Sequence, residues 1–359
     1  MNRENPPGGI LDIDLNERLH VDIGAFCNNN CIFCMEEDRE GREARVGRIT
    51  PEDIKHVLTS NRARKEVMFV SGEPTLNRHF VSYVRWAATL GYERVGVISN
   101  GRRFADPVFC AKALSAGLNY VIISIHGADE KTHDGLTRSP RSFAQAMEGI
   151  RNLSTLKRRF PLQLNTSTVL NRRNSEPEAL DALVQLLTPH VDQMVFNIMQ
   201  PFGRGQTHFD RLMLKYTELA DRLGHFFANH KGKELPVYLV DIPYCTTENR
   251  GIPDIARGYI ERYVHYEVAD AATDPGKATN KERIEGGAAV KHRQLRRGDA
   301  LETDENSRLT ERHRDDQEQS QKAKRPLCQQ CAYFNYCDGV WSNYLDRFGF
   351  DEFEPVLGD

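Results

Sequence analysis

Short apolar runs alternate with longer amphipathic stretches through the first 200 residues, and that rhythm predicts strands followed by helices in parallel βα units. Arg18 to Ile23 reads as a first strand, Glu66 to Ser71 as a second, Arg94 to Ser99 as a third and Tyr120 to Ile125 as a fourth. Leu162 to Val169 and Gln193 to Ile198 supply the fifth and sixth, and Val237 to Asp241 has the character of one more. Between them the apolar spacing turns helical over Phe80 to Leu90, Asp106 to Ala116, Ser142 to Leu156, Glu176 to Leu187 and Arg211 to Phe227. A further helix starts at Thr50 as N-cap, with Pro51 in the first turn and Glu52 and Asp53 against the positive end of the helix dipole. Gly91 and Gly117 are stop signals.

Right-handed crossovers curl six such units into an α/β fold, a partial (β/α)6 TIM-like barrel whose functional loops lie at the C-terminal ends of the strands. An open, doubly wound sheet is the structural alternative. The first strand-to-helix connection lacks the GxGxxG that would favour it. The chain then divides into an N-terminal segment (1–17), the barrel (18–235), a bridging segment with Cys245 (236–269), a charged insertion (270–325) and a small Cys-rich C-terminal extension (326–359). Within the insertion only Ile284, Val290, Leu295, Leu301 and Leu309 are large and apolar. That is too little burial to offset the entropy of ordering, so a flexible or loosely held helical segment is expected there.

The net charge of −3 and pI near 6.5 point to neither nucleic acid nor an anionic membrane as partner. No apolar run reaches the roughly 18 residues of a membrane span, and the start lacks the pattern of a signal peptide. A cytoplasmic protein is expected. The eight cysteines change the picture more than the charge does. Three form Cys27-x3-Cys31-x2-Cys34 and three Cys328-x2-Cys331-x5-Cys337, with Cys110 and Cys245 alone, and such clustering favours metal thiolates over a disulfide framework. Three thiolates on one loop can hold three corners of a cubane cluster and leave the fourth iron open; zinc or a closed, ferredoxin-like cluster is the alternative.

CNNNCIFC, with Phe33 immediately before the third cysteine, resembles the signature of the radical S-adenosylmethionine (radical SAM) superfamily. Ser71-Gly72-Glu73-Pro74-Thr75 is similar to its glycine-glutamate motif, with Ser71 in place of the commoner first glycine. Ser99-Asn100-Gly101 and Ser124-Ile125-His126-Gly127 resemble its later strand-end motifs, and Asn165 is a weaker match. The resemblance implies that Cys27, Cys31 and Cys34 hold a [4Fe-4S] cluster whose open iron chelates S-adenosylmethionine. It implies that Glu73 meets the methionine ammonium, and that Ser124, His126 and Asn165 lie near the ribose; Arg204 could reach a carboxylate in the barrel mouth. An electron from the reduced cluster then releases a 5′-deoxyadenosyl radical that abstracts hydrogen from a substrate carbon.

Cys328, Cys331 and Cys337 resemble the cysteine run of SPASM and twitch extensions, which implies one auxiliary [4Fe-4S] cluster with Cys245 as fourth ligand. A zinc site is the alternative, and Cys245 has a rival role as hydrogen donor to a substrate radical. The resemblance implies maturation of a peptide by crosslinking, oxidation or epimerisation. Dehydrogenation or epimerisation of a small polar metabolite or sugar is the rival within the class, and an iron-sulfur electron-transfer protein the rival outside it. The expected partners are the substrate, an electron donor such as flavodoxin or ferredoxin, and a separate leader-binding protein, because fewer than 30 residues precede Cys27. Cys110, in a helical pattern, reads as a small buried apolar residue.

Overall fold

A computed structural model describes residues 11–12, 18–24, 26–35, 49–230, 235–253, 256, 259–260, 264–268, 293–294, 309–313, 322–334, 337 and 339–357. Seven parallel strands lie side by side in chain order: β1 (Arg18–Asp22), β2 (Glu66–Val70), β3 (Arg94–Ser99), β4 (Tyr120–Ser124), β5 (Gln163–Leu170), β6 (Gln193–Ile198) and β7 (Val237–Val240). The helices between them are α1 (Pro51–Ser60), α2 (Phe80–Leu90), α3 (Pro107–Ser115), α4 (Glu130–Thr137), α5 (Ser142–Leu156), α6 (Pro177–Leu187) and α7 (Tyr216–Asn229). The sheet does not close into a barrel. On its far side β1 pairs in parallel with β8 (Val264–Val268), which pairs antiparallel with β9 (Leu309–His313), and Arg293–Gln294 adds the outermost strand.

Local chemistry explains the helix ends. Thr50 and Asp53 form a reciprocal capping box, with Thr50 N–H donating to Asp53 Oδ2 at 2.8 Å and Asp53 N–H to Thr50 Oγ1 at 3.2 Å. Asp106 caps α3 ahead of Pro107, and Gly91 ends α2 at φ +94°. The predicted helix from Arg211 to Phe227 is two pieces, Phe209–Leu212 and α7, with Met213 at ψ 138° in extended backbone between them. Helix α4 was not foreseen: Gly135 and two threonines weaken its pattern, and its hold comes from the Asp129 cap and from burial of His133 and Leu136.

Strand alternation sorts the side chains. Leu19, Val21, Phe69, Val97, Val121 and Phe196 face outward into one large core with the helices, whereas Met68, Val70, Tyr120 and Ile122 form a separate small cluster on the inner face. At the bottom, Glu66 bridges Arg18 at 2.9 Å and Arg94 at 2.6 Å, and both cations lie over the Tyr120 ring. This plug seals the N-terminal end of the strands, so the usable opening is at the other end.

The C-terminal extension, read from the sequence as residues 326–359, packs on that open end with α8 (Ser342–Phe348), and its Val340–Trp341 pairs antiparallel with Lys322–Ala323 from the segment read as the insertion. It caps α7, which has no side-chain cap of its own. Tyr344 Oη accepts from Tyr216 N–H at 3.1 Å, and Glu352 Oε2 accepts from Thr217 N–H at 2.8 Å, a carboxylate on the positive helix end. Asp241 at the end of β7 accepts from Lys322 Nζ at 2.9 Å and from Gln200 Nε2 at 2.8 Å, with Lys322 4.3 Å from the centre of the Trp341 ring. Of the charged insertion expected over 270–325 as a flexible or loosely helical segment, residues 293–294, 309–313 and 322–323 are strands; most of it, and most of the 1–17 segment, lies outside the described residues.

Candidate active site

Two strand ends meet backbone to backbone at the mouth. A Cβ on Gly24 would lie 1.8 Å from the Ser71 carbonyl oxygen, and one on Gly72 would lie 2.3 Å from that of Gly24. Only glycine fits at either position, and Gly72 and Ser71 both sit in the left-handed region at φ +51° and +68°. Glu73 N–H donates to Phe26 O at 2.7 Å, so the SGEP loop is fastened directly to the start of the cysteine loop.

That loop is held from three further sides. Helix α4 accepts from it through its C-terminal carbonyls, Asn30 N–H to Thr137 O at 2.8 Å and Ile32 N–H to Leu136 O at 3.0 Å. From the loop after β6, Arg204 N–H donates to Cys34 O at 2.9 Å and the Arg204 guanidinium to Asn30 Oδ1. From the loop after β3, Arg102 donates to Asn28 O and, at 2.9 Å, to Asn29 Oδ1. Cys27, Cys31 and Cys34 are half-buried. Burial, then the neighbouring Cys34 and Cys27, push the Cys31 thiol well above the ordinary range. Cation binding reverses that preference, because a metal takes the thiolate. These thiols and their half-buried setting fit an iron-sulfur cluster.

Glu73 is fully buried. Its carboxylate accepts from Thr75 Oγ1 at 2.5 Å, Thr75 N–H at 3.2 Å, Ser99 Oγ at 2.8 Å and Asn100 N–H at 2.6 Å. Burial raises its pKa while these donors lower it. Glu73 thus ties the ends of β2 and β3 together. Pro74 opens the following turn and is buried with it. Phe33 is buried edge-on to His126, ring centres 4.6 Å apart. His126 Nδ1 accepts from Val169 N–H at 3.2 Å and its ring stacks on His133. Burial lowers both imidazoles, His133 to about 4, so both are neutral near pH 7.

Ser124 at the end of β4 is level with Ser167, and Asn165 sits one inward-facing step deeper, level with Ile122. Asn165 Nδ2 donates to Tyr120 Oη at 3.1 Å, and its Oδ1 is buried without a hydrogen-bond partner. Asn197 Nδ2 donates to Ser167 Oγ at 2.7 Å, placing an inward polar pair beside Ser124. Neither Ser167 nor Asn197 was singled out from the sequence, although strict alternation along Asn165, Ser167 and Val169 marks that face.

The second cysteine group is brought together with Cys245: all of Cys245, Cys328, Cys331 and Cys337 line one predominantly apolar cavity. Tyr244 stacks on Tyr333 at 4.6 Å, joining the turn after β7 to the extension. Burial, then Cys337, Cys331 and Cys328, raise Cys245 to about 12. Among the described residues no three His, Cys, Asp or Glu side chains are close enough together to hold a single metal ion. Cys110 is fully buried in α3.

A partial parallel barrel, plugged at the bottom and carrying thiols at its mouth, defines a metallocofactor enzyme of the TIM-like class. Residues 21–187 match the Radical SAM superfamily and form a radical SAM domain. The family uses a [4Fe-4S] cluster and S-adenosylmethionine. Curated relatives include a probable GTP 3′,8-cyclase of Saccharolobus solfataricus, 32% identical over 54% of this chain and 60% of the relative. An AdoMet-dependent heme synthase of Methanosarcina barkeri is 30% identical over 43% of each chain. The match to the cyclases thus spans about 60% of their length. Among solved structures, Streptococcus suis SuiB aligns at TM-score 0.49 with 13% identity, covering 63% of this chain and 50% of that one.

Proposed function

We propose that this chain cleaves S-adenosylmethionine reductively, abstracts hydrogen from a substrate carbon, and holds an auxiliary [4Fe-4S] cluster on Cys245, Cys328, Cys331 and Cys337. The observation that carries the reading is the position of CNNNCIFC at the mouth, fastened to the SGEP loop by the Gly24–Gly72 backbone approach that a side chain would break and by the Glu73 N–H to Phe26 O bond, and to the SNG loop by the Asn100 side chain on Asn28. When bound there, the reduced cluster supplies the electron that turns S-adenosylmethionine into methionine and a 5′-deoxyadenosyl radical. The chain's own residues orient and shield. Glycine-lined loops let amides approach the cofactor, Ser124 and His126 stand at the ribose end, and the inward Ser167–Asn197 pair lines the route to the substrate. Arg204 braces the cysteine loop.

Collection of the four thiols around one cavity favours Cys245 as a ligand over Cys245 as hydrogen donor. An auxiliary cluster beside the mouth suits oxidative maturation of a peptide, with an electron donor such as flavodoxin or ferredoxin, a separate leader-binding protein and a cytoplasmic setting. No described helix is long and apolar enough to cross a membrane. The identity to proteins named GTP 3′,8-cyclase favours a second reading, a small polar substrate such as a nucleotide.

The test is anaerobic reconstitution, dithionite reduction and chromatography after adding S-adenosylmethionine. 5′-Deoxyadenosine is expected from the intact chain and not from the chain with Cys27, Cys31 and Cys34 changed to alanine. Its absence from a loaded, reducible protein would sink the reading and leave electron transfer. Mass spectrometry after addition of GTP separates the nucleotide reading from the peptide one.

A further inference from the structure

Asn100 stands against Cys27, and Arg102 against the two residues that follow it, with no role yet in the site's chemistry. The Asn100 side chain is fixed at both ends. Its Oδ1 accepts from Arg102 N–H at 3.1 Å, which turns Nδ2 toward the cysteine loop, where it donates to Asn28 Oδ1 at 2.6 Å and lies 3.9 Å from Cys27 Sγ. An amide nitrogen has two hydrogens and serves both acceptors. Its backbone is pinned by the Glu73 carboxylate at 2.6 Å. Arg102 is equally committed: Nε donates to Gln145 Oε1 at 2.6 Å while Nη1 reaches Asn28 O and Asn29 Oδ1. The guanidinium is thereby held on the carbonyl of the residue that follows Cys27.

A hydrogen-bond donor on a ligating sulfur and a cation in a partly desolvated pocket both favour the form of a cluster carrying one more electron. We propose that Asn100 and Arg102 are positioning residues that raise the reduction potential of the cluster at Cys27, easing entry of the electron that starts the reaction. The inference rests on the cluster reading above. It assigns to the SNGR turn a redox role separate from cofactor contact, and gives the buried Glu73 the task of aiming Asn100.

The test is an EPR-monitored redox titration of the reconstituted full chain, following the cluster signal that changes on addition of S-adenosylmethionine. Asn100→Asp and Arg102→Gln are each expected to shift the one-electron equilibrium at least tenfold toward the oxidised state, about 59 mV lower in potential. Arg102→Lys keeps the charge and is expected to stay within about threefold of the parent. Asn100→Ser withdraws the amide but keeps a small polar group, so it is expected to load iron even if the harsher changes do not, with a shift of at least about threefold. Midpoints of Asn100→Ser, and of whichever harsher variants load iron, all within threefold of the parent would overturn the inference and leave the cluster reading intact. No cofactor-responsive signal in the unaltered chain would instead overturn the cluster reading.

Discussion

Changing Lys322 to methionine leaves the Asp241 carboxylate buried without its ammonium. The two side chains are 2% and 3% exposed and 2.9 Å apart. Breaking one side of such a pair costs about 3–5 kcal/mol, most of it the penalty of the stranded charge. Asp241→Asn takes the carboxylate from Lys322 instead, at similar cost. In the double variant both charges are gone. Asparagine still accepts from Gln200 and tolerates the left-handed backbone at φ +65°, where leucine would not. It is therefore expected to recover about 2 kcal/mol or more relative to the sum of the singles. Trp341, against Lys322 and 2% exposed, reports the event locally. Urea unfolding of the metal-free chain, followed by fluorescence after the other tryptophan, Trp86, is changed to phenylalanine, supplies the double-mutant cycle. Singles costing under about 1 kcal/mol, or a double as unstable as the sum, would refute the argument.

Gly24→Ala drives a methyl into the Ser71 carbonyl and is expected to cost about 4 kcal/mol and abolish iron retention at the mouth, checked by thermal melting and iron analysis. Ser71→Gly relieves a left-handed serine and is expected to leave stability within about 1 kcal/mol of the parent in the same melts. His133 has its folded pKa depressed to about 4 from 6.5. The unfolded chain therefore binds the extra proton first, and stability is lost as pH falls from 6.5 toward 4, by about 3 kcal/mol from this group. His133→Gln should flatten much of that slope in denaturant titrations at successive pH values, while His126, shifted the same way, keeps part of it. Changing Cys328 and Cys331 to alanine should lower iron from about eight to about four per chain while 5′-deoxyadenosine formation with reductant persists.

The parallel order of the strands was legible because each strand carries its own apolar run, with helix starts marked by caps as at Thr50 and Asp106. Helix α4 was not, since its stability is tertiary: its last carbonyls hold Asn30 and Ile32. The strands β8 and β9 were equally invisible, because pairing at an edge draws on backbone groups that leave little periodic trace. At the site, spacing revealed the thiols and loop glycines. What it could not reveal was division of labour. Glu73 is expected from resemblance to face an ammonium; that its carboxylate also ties together Thr75, Ser99 and Asn100 is visible only in three dimensions. Ser167, Asn197 and Arg102 were missed for the same reason.

The caps that Tyr344 and Glu352 place on the first turn of α7 mean that the boundary between barrel and extension, clear in the composition, is not a seam along which the protein can be divided. Helix α7 packs against the barrel through Leu219, Leu223 and Phe226, so a chain ending before Pro326 would expose its amide groups and loosen the wall behind β6 and β7. The extension therefore acts as a keystone, bearing on parts laid down over 100 residues earlier. A ribosome-bound nascent chain carries the thiol loop long before α8 emerges and completes the mouth, which ties competence at the first cysteine group to arrival of the second.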